Sequence, residues 1–390
     1  MQIKKPSKFK LPLVLKILLP ILAVVIVVAF ILSRISISAY VILPGQAFSV
    51  EQLIGLPKKY DLHNQGKVDM VDVMLMPLNA LNYPYYAWLD GNDQIYPSQQ
   101  VLDSSTPVQY QEQGVIDMYN ARQAATYVAL REMGYHVKAI PAGVFVYNPL
   151  PGSPAAAHLA DNDIISTING YKITTFASIS SALGAKTPGS PVYVGVHQFG
   201  SRKERNITFR LGIYRVTKFS SSGVAEDARC LSLSVASKEP PFMSHGKPLG
   251  CLGLAYAPYL GGSEPYYRLS GLPFRIDLSA EGIIGPSAGL AFTLGLLDRL
   301  DNGNLIKDNK VAATGTMSIN GAIGPIGGVK EKTVAVEDAG DKIFFVPQAN
   351  LASAQSKNNG SLTIIGVSNI KEVIHKLETL GGKLNLVHGK

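Results

Sequence analysis

The longest apolar run begins at Ile17, "ILLPILAVVIVVAFILS", and is long enough to cross the hydrocarbon core of a bilayer as a helix. After it, "SAYVILPGQAFSVEQL" predicts a strand and a Pro-Gly turn at Pro44 and Gly45. Residues 68–76, "VDMVDVMLM", alternate with the period of a strand. From Gly114, the apolar residues Ile116, Ala124, Val128 and Leu130 fall on one helical stripe, and Gly134 marks its stop. Gly143 then opens a short predicted strand over 144–147, "GSPAAA" from Gly152 a short helix, and "DIISTINGYKI" two strand pieces around a turn at Asn169-Gly170. A helix ("FASISSALG") and a strand ("PVYVGVHQ") follow. From about Val216, strands are predicted at "RCLSLSVAS", "LGCLGLAYA" and "PFRIDLS". An apolar helix comes after Ser287, then strand "VAATGTMSI", a helix from Val329, strands "KIFFVPQ" and "LTIIGV", and helix "IKEVIHKLETL". Alternating strands and helices predict an α/β or α+β fold.

A chain of 390 residues holds two or three domains of ordinary size. Its net charge of +8 is concentrated at one end. Lys4, Lys5, Lys8, Lys10, Lys16 and Arg34 lie in a stretch without acids, which leaves +2 for everything after Arg34. The near-neutral body gives no case for nucleic-acid binding. Lysines crowded before the apolar run place the N-terminus in the cytoplasm and the body outside, as a single-pass membrane protein. A cleaved signal peptide is the alternative, because Ser36, Ser38 and Ala39 are small, but the run is longer than a usual signal core and favours an uncleaved anchor. Cys230 and Cys251 are the only cysteines; one disulfide and two buried thiols both remain open. The seven histidines are scattered, with no H-E-x-x-H, and neither a metal nor another cofactor is expected.

The segment from Ala142 carries a Gly-Val-Phe-Val start, then Gly-Ser-Pro-Ala, then Asp163-Ile164-Ile165 followed by Ile168-Asn169-Gly170. This order resembles a bacterial PDZ domain, with Asn162 where that family usually has Gly. The resemblance implies a groove in which an extended peptide adds as a strand along Gly143, Val144, Phe145 and Val146. A positioning or gating role for the unit is the alternative.

"EGIIGPSAGLAFTLGLLDRL" sets Ser287 between Gly285-Pro286 and Ala288-Gly289, directly before an apolar helix. Ser287 there is either a helix N-cap or a nucleophile in a Gly-x-Ser-x-Gly turn. A serine nucleophile needs a base. His245, the nearest upstream histidine, sits in a polar loop and makes a poor triad partner. A lysine serves instead if burial lowers its pKa. In "GPIGGVKEKTVAVEDAG", helical spacing puts Lys332 on an apolar face with Val329, Ala335, Val336 and Ala339. Lys330 falls with Thr333, Val334 and Glu337, toward solvent.

"GPSAG", followed some forty residues later by "TGTMSINGAIGPIGGVKEK", resembles the proteolytic domain of Lon proteases. The resemblance implies that Ser287 is the nucleophile, that Lys332 completes a Ser-Lys dyad, and that Thr314 hydrogen-bonds the lysine. Gly285 and Ala288 would support the site, with backbone amides at the start of the Ser287 helix holding the oxyanion. Two positions depart from the family: its Thr-Gly-Glu is Thr314-Gly315-Thr316 here, and the Asp that ATP-dependent members carry three residues before the serine is Ile284. No G-x-x-x-x-G-K-[ST] motif is present. Anchor, PDZ-like unit and Lon-like domain together resemble the membrane-anchored PDZ-Lon proteases of bacteria, ATP-independent serine endopeptidases acting on polypeptides. The expected organisation is a cytoplasmic tail (1–16), an anchor (17–34), a membrane-proximal region without a motif (35–134), a PDZ-like domain (135–215) and the proteolytic domain (216–390). Lon-like domains often form rings, so a homo-oligomer is open. A non-catalytic membrane scaffold is the competing reading, and the presence of both dyad residues argues against it.

Overall fold

A computed structural model describes residues 13–61, 66–89, 94–102, 105–146, 149–160, 163–201, 203–219, 225–244, 246–254, 266–280 and 282–386. They fall into two compact units, one from 1–44 with 73–104, the other from 45–72 with 105–390. Most of the lysine-rich tail, together with Tyr147, Asn162 and Glu281, lies outside the described residues.

The first unit begins with helix α1 (Leu13–Arg34), whose window Ile17–Arg34 has a mean hydropathy of 2.8 and no buried residue. Strand β1 (Ser36–Ser49) follows. It runs unbroken through Pro44 and Gly45, so the turn expected there is absent. The chain stays extended, and the Gln46 amide donates to the Asp72 carboxylate at 2.6 Å. Strand β2 (Lys67–Asn79) matches the alternating stretch. Its second half, helix α2 (Tyr83–Leu89) and strand β3 (Ile95–Pro97) complete the unit. β1 pairs antiparallel with β3, Tyr40 opposite Tyr96. The small core is Ala39, Val41 and Leu78, with Tyr83, Tyr86 and Ile95 against it.

In the second unit, helix α3 (Pro107–Glu132) starts at a capping box, with Thr106 and Gln109 satisfying each other's backbone amides. The predicted stripe Ile116, Ala124, Val128 and Leu130 is buried throughout. Strand β4 (Lys138–Phe145) leads into an antiparallel sheet with β5 (Asp163–Ile168), β6 (Pro191–Gln198) and β7 (Glu204–Arg210), in spatial order β4-β5-β6-β7. Helix α4 (Phe176–Leu183) and the short helix Pro154–His158, capped by Ser153, accompany it over a core of Val144, Val146, Ile165, Ile168, Val194 and Phe209. Strands β8 (Gly212–Phe219) and β9 (Ala225–Leu231) form a hairpin, and β8 also pairs with Gly250–Cys251, where Cys230 and Cys251 are joined as a disulfide. Among the described residues of "LGCLGLAYA", which leave out 255–257, the strand is Gly250–Cys251; that expected in "PFRIDLS" shrinks to Asp277–Leu278, which pairs with Ile54–Gly55. Strand β10 (Tyr266–Ser270) joins the outer edge of β4.

Helix α5 (Gly289–Leu300) is buried on every side, as a central core helix is. It packs with Met118, Ala125 and Val128 of α3, so the motif-free segment before residue 134 supplies part of this core. The strand expected in "VAATGTMSI" is broken into β11 (Lys310–Ala313) and a separate strand Thr316–Met317, which pairs antiparallel with Ile323–Gly324. Helix α6 (Val329–Asp338), strands β12 (Ile343–Pro347) and β13 (Thr363–Val367) and helix α7 (Ile370–Thr379) follow as the sequence predicts. β13, β12, β11 and the first half of β2 lie side by side and parallel. The α/β expectation therefore holds for this part, with antiparallel sheet before it.

Candidate active site

Ser287 sits in a single tight turn, Pro286–Ala288, that feeds directly into α5. Two glycines make this turn possible. Gly285 has φ near +95°, a left-handed conformation that disfavours side chains. At Gly289 a Cβ would lie 2.8 Å from Met317, so only glycine lets the helix start touch that strand. The Gly285 amide donates to the Gly114 carbonyl at 2.7 Å, which ties the turn to α3 and leaves that amide unavailable to an oxyanion. Ala288 is buried behind the serine. The Ser287 carbonyl accepts from the Gly315 amide at 2.9 Å and from the Thr314 hydroxyl at 3.2 Å. Its backbone is thus clamped while the side chain stays partly open.

Lys332 approaches from α6 and is 2 % exposed. Its Nζ lies 2.8 Å from Ser287 Oγ, 2.9 Å from the Val71 carbonyl oxygen and 3.3 Å from Thr314 Oγ1. Val329, Ala335 and Val336 share its buried face, as the helical spacing predicts. Ala339 does not: the helix ends at Asp338, and Ala339 is its exposed C-cap. Lys330 is only half-buried, but Thr333, expected with it toward solvent, is fully buried, its hydroxyl donating to the Val329 carbonyl at 2.8 Å; Glu331, between the two lysines, is buried as well. Burial holds the Lys332 amine down at about 8, against a weaker upward pull from the Asp72 carboxylate.

These contacts suit both protonation states. An ammonium has three N–H groups, and three oxygens surround this one. A neutral amine donates to Val71 and Thr314 and turns its lone pair to the Ser287 hydroxyl. Ser287 Oγ can then attack an acyl carbonyl as its proton passes to Lys332 Nζ, and the ammonium can return that proton to the leaving amine. Thr314 accepts from Lys332 and donates to Ser287, and so registers the two against each other.

Residues 279–379 match the family model of the Lon protease (S16) C-terminal proteolytic domain, and residues 131–210 match the PDZ domain model. The chain carries a Lon-type proteolytic domain and a PDZ domain. Within the Lon-type match lie Ser287, Thr314 and Lys332. A Lon protease of Mycoplasma mobile is 36% identical over 26% of this chain and 12% of its own length. An archaeal Lon protease of Archaeoglobus fulgidus is 30% identical over 28% and 18%, and Lon protease 2 of Bacillus subtilis 36% over 24% and 17%. The chain spans less than a fifth of the length of these relatives. The PDZ domain of the SdrC-like protein from Listeria monocytogenes, a solved structure, is 22% identical over 22% of this chain and 84% of that one, with a TM-score of 0.17; the PDZ assignment rests on the family model.

The site of the Lon-type domain includes a group outside its matched range. Val71 comes from β2, in the segment without a motif, and contributes only a backbone carbonyl. In the PDZ domain, the structure alters the expected peptide edge. Over 138–143, β4 is already paired with β10, Gly143 lying opposite Tyr266. Val144 and Phe145 pair with Ile165 and Ile164 of β5, the Val146 amide donates to the Asp163 carbonyl at 2.8 Å, and all three side chains are buried. The protein's own strand therefore fills the edge next to Gly143, which leaves Gly143 no free edge there for a peptide.

Proposed function

We propose that this protein is a membrane-anchored, ATP-independent serine endopeptidase, with Ser287 as nucleophile and Lys332 as general base and then general acid. One observation carries the reading. The only side chain hydrogen-bonded to Ser287 Oγ among the described residues is a buried lysine whose own partners are neutral oxygens. Backbone amides at the Ser287 turn are assigned to the oxyanion, excluding that of Gly285. An extended polypeptide is the substrate class, and the PDZ domain binds or gates it. Anchoring through α1 is supported by its apolar surface, with no buried residue over Ile17–Arg34, and by the lysines before it. The Cys230–Cys251 disulfide suits an oxidising, extracytoplasmic side. ATP independence is supported by the lack of a phosphate-binding loop in these 390 residues.

The test is cleavage of an unstructured polypeptide by purified protein in nucleotide-free buffer. Cleavage that Ser287→Ala abolishes is expected, and an absolute requirement for ATP would overturn the ATP-independent part. For topology, protease added to intact cells should degrade the body; full protection would contradict the proposed orientation.

A further inference from the structure

Helix α2 and the turn before it carry apolar side chains that none of the described residues covers. Leu81, Tyr85 and Trp88 are 46, 58 and 82 % exposed. Tyr85 and Trp88, three residues apart, lie on one side of α2, and Leu81 is exposed in the turn directly before it. The other side, with Tyr83 and Tyr86, packs on the core of Ala39, Val41 and Leu78. From Val73 to Leu89 the sequence has no charged residue. A helix facing water carries its polar residues outward, and this one presents tyrosine and the chain's single tryptophan.

What lies against that face follows from where the helix is fastened. The Ala80 amide donates to the Ile35 carbonyl at 2.9 Å, so the turn that starts α2 is pinned to the residue directly after α1. At that end of α1, the Arg34 guanidinium lies 5.0 Å over the Phe30 ring, the arrangement of a cation that keeps its stem on apolar surface and its head toward water. The last turn of α1 thus has the features of a membrane boundary. Tyrosine and tryptophan are the side chains that favour this depth, with ring in the acyl margin and polar edge among headgroups. From Tyr83 to Trp88 the helix advances only about 8 Å at 1.5 Å per residue, which keeps the exposed ring near the pinned turn.

We infer that Leu81, Tyr85 and Trp88 form a second, interfacial contact with the same lipid surface that α1 crosses, and hold the first unit against the bilayer. The inference rests on the proposed anchoring by α1. A surface of lipid explains the missing charge and the Tyr/Trp composition together, and the turn that starts α2 is pinned to the residue directly after α1.

Because Trp88 is the only tryptophan, the unmodified full-length chain reports on this site directly. The protein is reconstituted into phosphatidylcholine–phosphatidylglycerol vesicles, some containing phosphatidylcholine brominated near the carbonyl end of its chains. The expected result is flotation with the vesicles, resistance to alkaline carbonate, blue-shifted Trp88 emission and loss of that emission in brominated vesicles. Flotation and carbonate resistance with emission quenched by aqueous iodide, and not by bromolipid, would overturn the interfacial contact and leave the anchor standing. Complete release by carbonate would overturn the anchor and this contact with it.

Discussion

Two lysines approach strand β2 and meet opposite fates. Lys67, at the start of the strand, contacts Asp69 and lies 3.1 Å from Asp341. Burial pushes its pKa down, yet the two carboxylates outweigh that and raise it. Lys332 reaches the same strand at Val71, where its hydrogen-bond partners are a carbonyl and two hydroxyls. There burial dominates, and the amine falls to about 8. A half-buried cation with an anion in contact keeps its proton, and a fully buried one among neutral oxygens can give it up. The first serves structure, and the second is fit to be a base.

The largest effect should come from removing either half of the dyad. Ser287→Ala and Lys332→Met should each lower kcat by about 10⁴-fold or more, and the double variant should be no worse, because residues acting as one unit are not additive. Lys330→Met should keep most activity. An active Lys332→Met beside a dead Lys330→Met would break the comparison outright.

A smaller loss tests the neutral shell. Thr314→Val keeps the volume but removes the hydroxyl that links Lys332 to the Ser287 carbonyl. Misplacement of the amine should cost about 10- to 100-fold in kcat with little change in KM. An unchanged kcat would show that Thr314 does not position the lysine.

The smallest effects are in stability, and their signs should differ. The folded pKa of Lys332 is about 8, below the unfolded value near 10.5. Between those values the unfolded chain binds more protons, so native stability rises with pH across that window. The cost of burying the amine is therefore fully present below pH 8. Lys332→Met should be no less stable than wild type at pH 7, and its advantage should shrink between pH 8 and 10.5 in thermal unfolding. Lys67→Met should instead lose about 1–3 kcal/mol at pH 7, since it leaves Asp69 and Asp341 facing each other. Burial first, and Asp69 second, raise the Asp341 pKa to about 6 even with Lys67 pulling it down; without Lys67 it lies higher, so the loss should ease as pH falls toward 6. A destabilised Lys332→Met together with a neutral Lys67→Met would reverse the lesson.

Much of this contrast was readable in the sequence. Helical spacing alone separates Lys332 from Lys330, and the order of "GPSAG" and "GGVKEK" points to the serine and lysine that the structure brings together. Val71 is hidden in the sequence, because a backbone carbonyl has no residue signature and its strand lies 261 residues before Lys332, outside the matched range. Periodicity does not say where a helix stops, so the spacing that groups Ala339 with Lys332 overruns the helix end at Asp338. Pro44-Gly45 has turn composition, but the Gln46–Asp72 hydrogen bond keeps it extended. The occupied edge of β4 depends on residues 266–270, more than a hundred positions away, and no local pattern announces such a pairing. The sequence leaves the Cys230–Cys251 bond as one of two open states; in the fold the cysteines sit on the two strands that flank β8, with Cα atoms 5.9 Å apart.

The most direct test is the pH dependence of kcat/KM for nucleotide-free cleavage of a peptide, which reports the free enzyme's base. If Lys332 is that base, the rate should rise tenfold per pH unit and level off above about 8, its folded pKa. At pH 6 it should lie about 100-fold below the plateau. A rate independent of pH over this range, or one still climbing toward the ordinary lysine value of 10.5, would contradict a neutral Lys332 acting on Ser287.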